Sequence, residues 1–238
     1  MKIIIALLLS FITLSATAQP LVFTAIPDAD ETRLKARFTQ VADYLAKELG
    51  IEVQYIPVKS YAAAVTAFRN NQVQLAWFGG LSGVQARLLS PGAEAIAQGE
   101  EDQHFKSYFI AHSSTGLKSG EVLPAAIKDM SFTFGSKSST SGRLMPEYFI
   151  RQQFKKSPEQ LFDRVGFSGN HSRTIALVQS GSYQLGALNY QVWEQELSEG
   201  KIDLEKVSII WTTPEYADYQ WTVRGDVEKH WGQASKKN

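Results

Sequence analysis

After Gln19, short apolar runs of strand character alternate with longer stretches whose apolar residues recur every three or four positions, and this alternation narrows the fold more than any other feature. The runs Leu21–Ile26, Glu52–Ile56, Val73–Trp77, Ala93–Gln98 and Phe105–His112 read as strands. Thr32–Leu49, Ser60–Asn70 and Leu81–Leu89 read as helices, the first carrying Leu34, Phe38, Val41, Tyr44, Leu45 and Leu49 on one face and stopping at Gly50. Ser, Thr and Gly dominate Ser113–Gly120, and a second set follows. It comprises strands Ser131–Gly135, Arg164–Phe167 and Gln184–Leu188, with helices Arg143–Lys155, Ser172–Ser180 and Tyr190–Glu199. Val207–Trp211 reads as a returning strand. Strands alternating with helices imply parallel sheets covered by helices. Two such sets joined by a pair of extended crossings imply an α/β protein of two lobes, with a hinge near His112–Ser114 and Val207–Trp211 and a cleft between the lobes. No internal repeat, low-complexity tract or charge block interrupts the pattern.

The first residues do not belong to this pattern. Met1-Lys2, the apolar run Ile3 to Leu14 and Ala16-Thr17-Ala18 have the three parts of a secretory signal peptide, with cleavage expected after Ala18. The run is shorter than the roughly 20 apolar residues of a membrane anchor. The mature chain is therefore expected to begin near Gln19, free in a periplasm and without membrane insertion. The sequence has no cysteine, which removes disulfides, thiol chemistry and a lipid-bearing cysteine at the cleavage point. The sequon Asn170-His171-Ser172 is read as a chance match in a bacterial export context. About 220 residues remain, at 44% apolar content, enough for one large or two modest domains. Lys plus Arg and Asp plus Glu number 24 each, so no global field attracts nucleic acid or an anionic membrane, and any anion site must be local.

The densest local signal is Phe132-Thr-Phe-Gly-Ser-Lys-Ser-Ser-Thr-Ser-Gly-Arg143, an apolar strand running through hydroxyls and a glycine into a helix. Unpaired N–H groups of a helix's first turn and its dipole favour an anion, and small hydroxyl residues add donors without blocking approach. Ser138, Ser139, Thr140, Ser141 and the Gly142 backbone could converge on one tetrahedral oxyanion, although the same residues also fit an ordinary Ser-rich N-cap. Gln74-Leu-Ala-Trp-Phe-Gly-Gly80 is a buried strand ending in two aromatics and two glycines, and Leu81-Ser-Gly83 then opens a helix. Trp77, Phe78 and Gly79 thus mark a second anion seat facing the first, or simply core. Tyr61 and Tyr108 offer phenolic donors for a pocket wall or half-buried packing. His171 sits near the first turn of a helix, where the dipole would lower its basicity, and Asn189 at another strand end could donate an amide. The four histidines, 104, 112, 171 and 230, have no metal-ligand spacing, so neither metal nor cofactor is expected. The chain also lacks a P-loop lysine motif, a G-x-G-x-x-G after a strand and a G-x-S-x-G elbow.

Trp77-Phe78-Gly79, the Ser139-Thr140-Ser141-Gly142 turn, the Gly169-Asn-His-Ser172 turn and the Ile26-Pro27 exit from the first strand resemble the phosphonate/phosphite-type periplasmic substrate-binding proteins of ABC importers, over nearly all of the mature chain. Ser60-Tyr-Ala-Ala-Ala-Val-Thr-Ala-Phe-Arg69 and Trp211-Thr-Thr-Pro214 resemble more narrowly a subgroup labelled selenate-binding. The resemblance implies a type II periplasmic-binding-protein fold that closes on a phosphonate, phosphite, phosphate or selenate-like oxyanion and presents it to a permease, as a monomer and not as an enzyme. It implies that Ser139, Thr140 and Ser141 grip the oxygens, with Tyr61, Tyr108 and His171 in the pocket. Relatives that bind aminoalkyl phosphonates use acidic residues for the amine, and the nearest candidate here is Asp218. The expected lobes are 19–112 and 113–206, followed by 207–238 as the return crossing and the end of the first lobe. Relatives continue further in helical sequence, so that last part is expected to be curtailed or divergent. Two other readings compete. One is a sensor subunit with the same ligand that docks on a signalling receptor. The other is a hydrolase with Ser139 as nucleophile, His171 as base and Asp218 as carboxylate.

Overall fold

The computed structural model describes residues 19–231; the expected leader, 1–18, lies outside the described residues, as does the chain from 232 onward. The first set of elements is β1 (Leu21–Ala25), α1 (Glu31–Leu49), β2 (Val53–Tyr55), α2 (Tyr61–Arg69), β3 (Leu75–Phe78), α3 (Gly80–Leu88) and β4 (Glu94–Ala97). Local chemistry sets the ends of these helices. Asp30 caps α1 by accepting the N–H groups of Thr32 and Arg33, and Gly50 closes it at φ 63, in the left-handed region that glycine occupies without penalty. Ser60 caps α2 through the N–H of Ala63, and the buried face that follows, Tyr61, Ala64, Val65 and Phe68, turns toward the sheet.

The second set is β5 (Ser107–His112), β6 (Ser131–Phe134), a π-helical turn over Thr140–Leu144 leading into α4 (Met145–Phe154), the single turn α5 (Pro158–Leu161), β7 (Arg164–Phe167), α6 (His171–Gln179), β8 (Leu185–Asn189), α7 (Tyr190–Ser198) and β9 (Val207–Thr212). The chain then returns as β10 (Gln220–Val223) and α8 (Val227–Trp231). The described strands form two five-stranded sheets, in the orders β2-β1-β3-β10-β4 and β7-β6-β8-β5-β9.

Three expectations are corrected here. The sheets are mixed rather than parallel, because β10 runs antiparallel between β3 and β4, and β5 runs antiparallel between β8 and β9. Each of these antiparallel strands is the one by which the chain enters a sheet from a crossing, so it is not constrained to the direction of the strand–helix–strand units. The crossings themselves are 98–106 and 213–219, since β4 and β10 belong to one sheet and β5 and β9 to the other. An isolated antiparallel bridge, Phe105 to Tyr216, ties them together, with N–H to carbonyl distances of 2.8 and 2.9 Å. His112 and Val207, near the expected hinge, are paired with each other inside the second sheet at the far ends of β5 and β9. Strand membership also places Ser107–His112 in the second sheet, although the first-lobe range 19–112 includes it. An apolar run identifies a strand but not its partner.

Aromatic side chains fill both interiors. Phe23, Phe38, Phe68 and Phe78 are buried around the first sheet, and Phe109, Phe132, Phe134 and Phe162 around the second. Trp77 lies flat against Tyr219 at 4.1 Å between centroids, which fixes the second crossing over the end of β3.

Candidate functional site

β6 runs out into Gly135, whose N–H donates to the Gly142 carbonyl at 2.8 Å and folds the intervening hydroxyl-rich turn back over the strand end. Ser139 caps that turn, its Oγ accepting the Gly142 N–H at 2.9 Å. The helix opens as a π turn instead of beginning in α form at Arg143, which places Thr140, Ser141 and Gly142 in its first, buried positions. A Cβ on Gly142 would lie 2.9 Å from His171 Cε1 and 3.2 Å from the Gly135 Cα, so only glycine lets the turn press against the imidazole.

The N-terminus of α3 faces this turn from the other sheet. Its N–H groups are engaged, because Leu81 donates to Thr140 Oγ1 at 2.9 Å and Gly80 donates to Asp218 Oδ1 at 2.9 Å. The second anion seat expected there is instead the joint at which the two sheets and the second crossing meet. Gly79, which caps α3, is tight for the same reason: a Cβ would meet Asp218 Oδ1 at 3.0 Å and Thr140 Oγ1 at 3.4 Å.

Asn170 caps α6, and His171 in its first position is completely buried. The His171 N–H donates to the Asp28 carbonyl at 2.9 Å, across from the first sheet. Its Nδ1 accepts the Asn189 N–H at 3.3 Å, which assigns the ring proton to Nε2. Burial pushes its pKa down to about 3, so the ring is a neutral donor at physiological pH. Asn189 does not aim its amide at a ligand. Its Oδ1 caps α7 through the Val192 N–H at 2.7 Å, and its Nδ2 donates to the Tyr219 hydroxyl at 2.8 Å. Tyr219 in turn donates to Asp28 Oδ2 at 3.0 Å.

Two carboxyl groups therefore sit in the same buried cluster as the hydroxyls. Burial raises the pKa of Asp28 to about 6, against the opposing pull of Arg37 and the Tyr219 hydroxyl. Burial also raises Asp218, against the Gly80 N–H and the nearby Thr140 and Ser141 hydroxyls. The Tyr61 hydroxyl is held protonated by burial and by both carboxylates, with the Ser139 hydroxyl close enough to oppose the shift. Tyr61 Oη, Ser141 Oγ, His171 Nε2, Asp28 Oδ1 and Asp218 Oδ2 are all buried and make no hydrogen bond of regular geometry. Such groups are costly to leave unpaired. Together they present three donors and two carboxyl oxygens, the complement of a tetrahedral oxyanion that retains a proton.

Of the residues singled out in the sequence, Ser139, Thr140, Ser141, Gly142, Tyr61, His171, Gly79, Asn189 and Asp218 come together here. Tyr108 does not, since its hydroxyl donates to Glu194 Oε1 at 2.8 Å. Trp77 backs Tyr219, and Phe78 packs edge-on against Phe68 at 5.6 Å, so both act as core. The half-buried Ser138 uses its N–H on Ser136 Oγ. The hydrolase reading fails on geometry: His171 Nδ1 accepts a backbone N–H, so no carboxylate stands behind the imidazole, and Ser139 Oγ is engaged as a cap. Four residues escaped the sequence reading. Asp28 directly follows the Ile26-Pro27 strand exit and Tyr219 follows Asp218, so adjacency to noted residues was the available signal. Ser107, whose Oγ donates to the Ser141 carbonyl at 2.6 Å, and its partner Tyr216 carried none. Among the described residues no cluster of three or more His, Cys, Asp or Glu is arranged for a metal, and no helix is long and apolar enough to cross a membrane.

Comparison with known proteins identifies the family. A family profile described as "ABC transporter, phosphonate, periplasmic substrate-binding protein" matches residues 23–234. The probable ABC transporter phosphite binding protein PhnD1 of Prochlorococcus marinus (strain MIT 9301) is 46% identical over 215 residues, 90% of this chain and 72% of that protein. The phosphonates-binding periplasmic protein of Escherichia coli (strain K12) is 25% identical, across 81% of this chain and 57% of its own length. The structure of the Prochlorococcus protein in complex with methylphosphonate superposes with a TM-score of 0.84 at 45% identity, covering 91% of this chain and 80% of that one. A binding component of an ABC phosphonate transporter from Pseudomonas aeruginosa shares the fold at a TM-score of 0.77 and 20% identity, over 91% of this chain and 72% of that one. With a profile match over nearly all described residues and a relative at 46% identity, this chain belongs to the periplasmic substrate-binding proteins of phosphonate ABC transporters.

Proposed function

We propose that the chain is exported to the periplasm, captures a small protonated phosphorus oxyanion, phosphite or a short alkylphosphonate, and delivers it as a monomer to a membrane permease. The observation that carries this reading is the buried cluster itself: Tyr61 Oη, Ser141 Oγ and His171 Nε2 make no hydrogen bond of regular geometry, and neither do one oxygen of Asp28 and one of Asp218. Hydroxyls and a neutral imidazole supply donors to ligand oxygens without a fixed positive charge. The carboxyl oxygens accept from a ligand P–O–H or, when protonated, donate to a ligand oxygen. Sulfate and selenate carry no proton at neutral pH and meet these carboxylates as like charges, which argues against the selenate-binding subgroup as a guide to the ligand. The lobes close about the two crossings, 98–106 and 213–219, with the cluster between them.

Calorimetry on the exported chain with phosphite, methylphosphonate, 2-aminoethylphosphonate, phosphate, sulfate and selenate tests this reading. Saturable binding of phosphite or methylphosphonate is expected, with sulfate and selenate at least about tenfold weaker, the scale of one lost charge-assisted hydrogen bond. Tight selenate or sulfate binding, or no binding of any phosphorus oxyanion by folded protein, would reject it.

A further inference from the structure

Beside the hydroxyl cluster, a cavity of about 280 Å³ opens between α1 of the first sheet and α7 of the second, with Arg33, Arg37, Gln191 and Gln195 among its lining residues. Asp28 and Asn189 belong both to its inner wall and to the cluster, so the cavity borders the cluster. Arg33 reaches across the cleft to Glu199, with Nη2 2.7 Å from Oε2, but its Nη1 is buried and has no acceptor. Its side chain is only 16% exposed, so water does not readily supply one. Arg37 holds its guanidinium over the Trp77 ring, 4.9 Å from the centroid. The amide nitrogens of Gln191 and Gln195 donate to Glu101 and Glu199, and Arg33 and Arg37 are the positively charged residues that line the cavity. A planar pair of N–H groups beside an unfilled acceptor position is what a carboxylate or a second phosphoryl group satisfies.

We propose that this cavity is an outer anion subsite, which takes the carboxylate of a carboxyalkyl phosphonate while the phosphorus oxygens occupy the hydroxyl cluster. The proposal rests on the phosphorus-oxyanion reading above and extends it from the head group to the substituent. A tail leaving the head group past Asp28 enters a space bounded by both sheets, so its anchoring also favours the closed arrangement. The Tyr219 hydroxyl holds Asp28 Oδ2, and Glu199 is paired with Arg33 and with Lys201 at 2.8 Å.

The test compares 3-phosphonopropionate, which carries the carboxylate, with propylphosphonate, of equal length without it, and with methylphosphonate as the bare head group, by calorimetry. The carboxylate form is expected to bind at least about tenfold tighter than propylphosphonate. That ratio should fall toward one in Arg33→Gln and in Arg37→Gln. In Glu199→Gln, which removes the bridge across the cleft but keeps both arginines, all three affinities should move together and the ratio should stay. Excess acetate should lower the affinity of 3-phosphonopropionate but not that of methylphosphonate; competition against both would assign the effect to free anion in the hydroxyl cluster and overturn the subsite. A wild-type ratio of one or less, or a ratio unchanged in both arginine variants, would also overturn it while methylphosphonate binding leaves the head-group reading standing. Failure of methylphosphonate as well would reject that reading itself.

Discussion

Thr140 links the proposed site to the contact between the two sheets, since its hydroxyl accepts the Leu81 N–H across the cleft and can give its own proton to the Asp218 carboxyl. Thr140→Val preserves volume and removes both capacities. Affinity for methylphosphonate should fall by roughly tenfold or more, as for a lost hydrogen bond to a charged group, and an unchanged calorimetric constant would remove Thr140 from the site. The buried carboxyl and imidazole make the stability of the unliganded protein depend on pH in opposite senses. Folded Asp28 holds its proton up to about 6 against a usual value of 3.8, so between these pH values the folded state binds more protons and stability falls as pH rises. Folded His171 loses its proton at about 3 against a usual 6.5, so its contribution to stability rises with pH across that range and is lost as pH falls. The shift at Asp28 corresponds to roughly 3 kcal/mol of destabilisation above pH 6. Asp28→Asn keeps an acceptor for Tyr219 and removes the buried charge. Its melting temperature should match the wild type near pH 4 and exceed it by several degrees above pH 6, and a constant difference across pH would refute the buried-charge account.

At the scale of elements, the apolar helix faces and some helix ends were legible because each is written in a few neighbouring residues. Gly50 closes α1, Ser60 opens α2, and Ser139-Thr140-Ser141-Gly142 announced a hydroxyl-lined turn, whereas the Asp30 cap of α1 and the Asn189 cap of α7 were not read. The π form of that turn was not legible, and Gly142 within it packs against His171, which lies in another strand–helix unit. Nor was β10 foreseen. Gln220–Val223 is four residues long, and its place between β3 and β4 is decided by partners far earlier in the chain. Asn189 and Tyr108 show the same limit at the site. Their donors were visible, but the atoms those donors would meet, Tyr219 and Glu194, were not. Gly79 illustrates an element whose sequence is set by a distant contact. Its φ of −75 would suit any residue, and the demand for glycine comes from Asp218 and Thr140 packed against it. Gly79→Ala should leave the circular dichroism spectrum unchanged and weaken methylphosphonate binding several-fold, because Asp218 must shift by a few tenths of an ångström to admit the methyl group. Full affinity in this variant would mean that the carboxyl moves without consequence.

Across the whole molecule, bonds at three points join the two sheets over the cleft: Leu81 to Thr140, the His171 N–H to the Asp28 carbonyl, and Arg33 to Glu199. They differ in weight. The first two are short bonds involving buried groups of the site, whereas the ion pair has side chains 16% and 34% exposed, and pairs of that kind contribute on the order of 0.2–1 kcal/mol. The ordering implies that ligand and buried polar contacts determine whether the lobes close, and that the ion pair adjusts how long they stay closed. Interactions made only after encounter act mainly on dissociation. Glu199→Gln should therefore raise the dissociation rate of methylphosphonate by roughly 1.4- to fivefold, the kinetic equivalent of that energy, and leave the association rate nearly unchanged. Raising the salt concentration should accelerate dissociation from the wild type toward the variant's rate and have little effect on the variant, because the screened interaction is already absent. Stopped-flow displacement at two ionic strengths separates these outcomes. A slower association rate with normal dissociation would instead place Glu199 and Arg33 in the capture of the ligand, before the lobes meet.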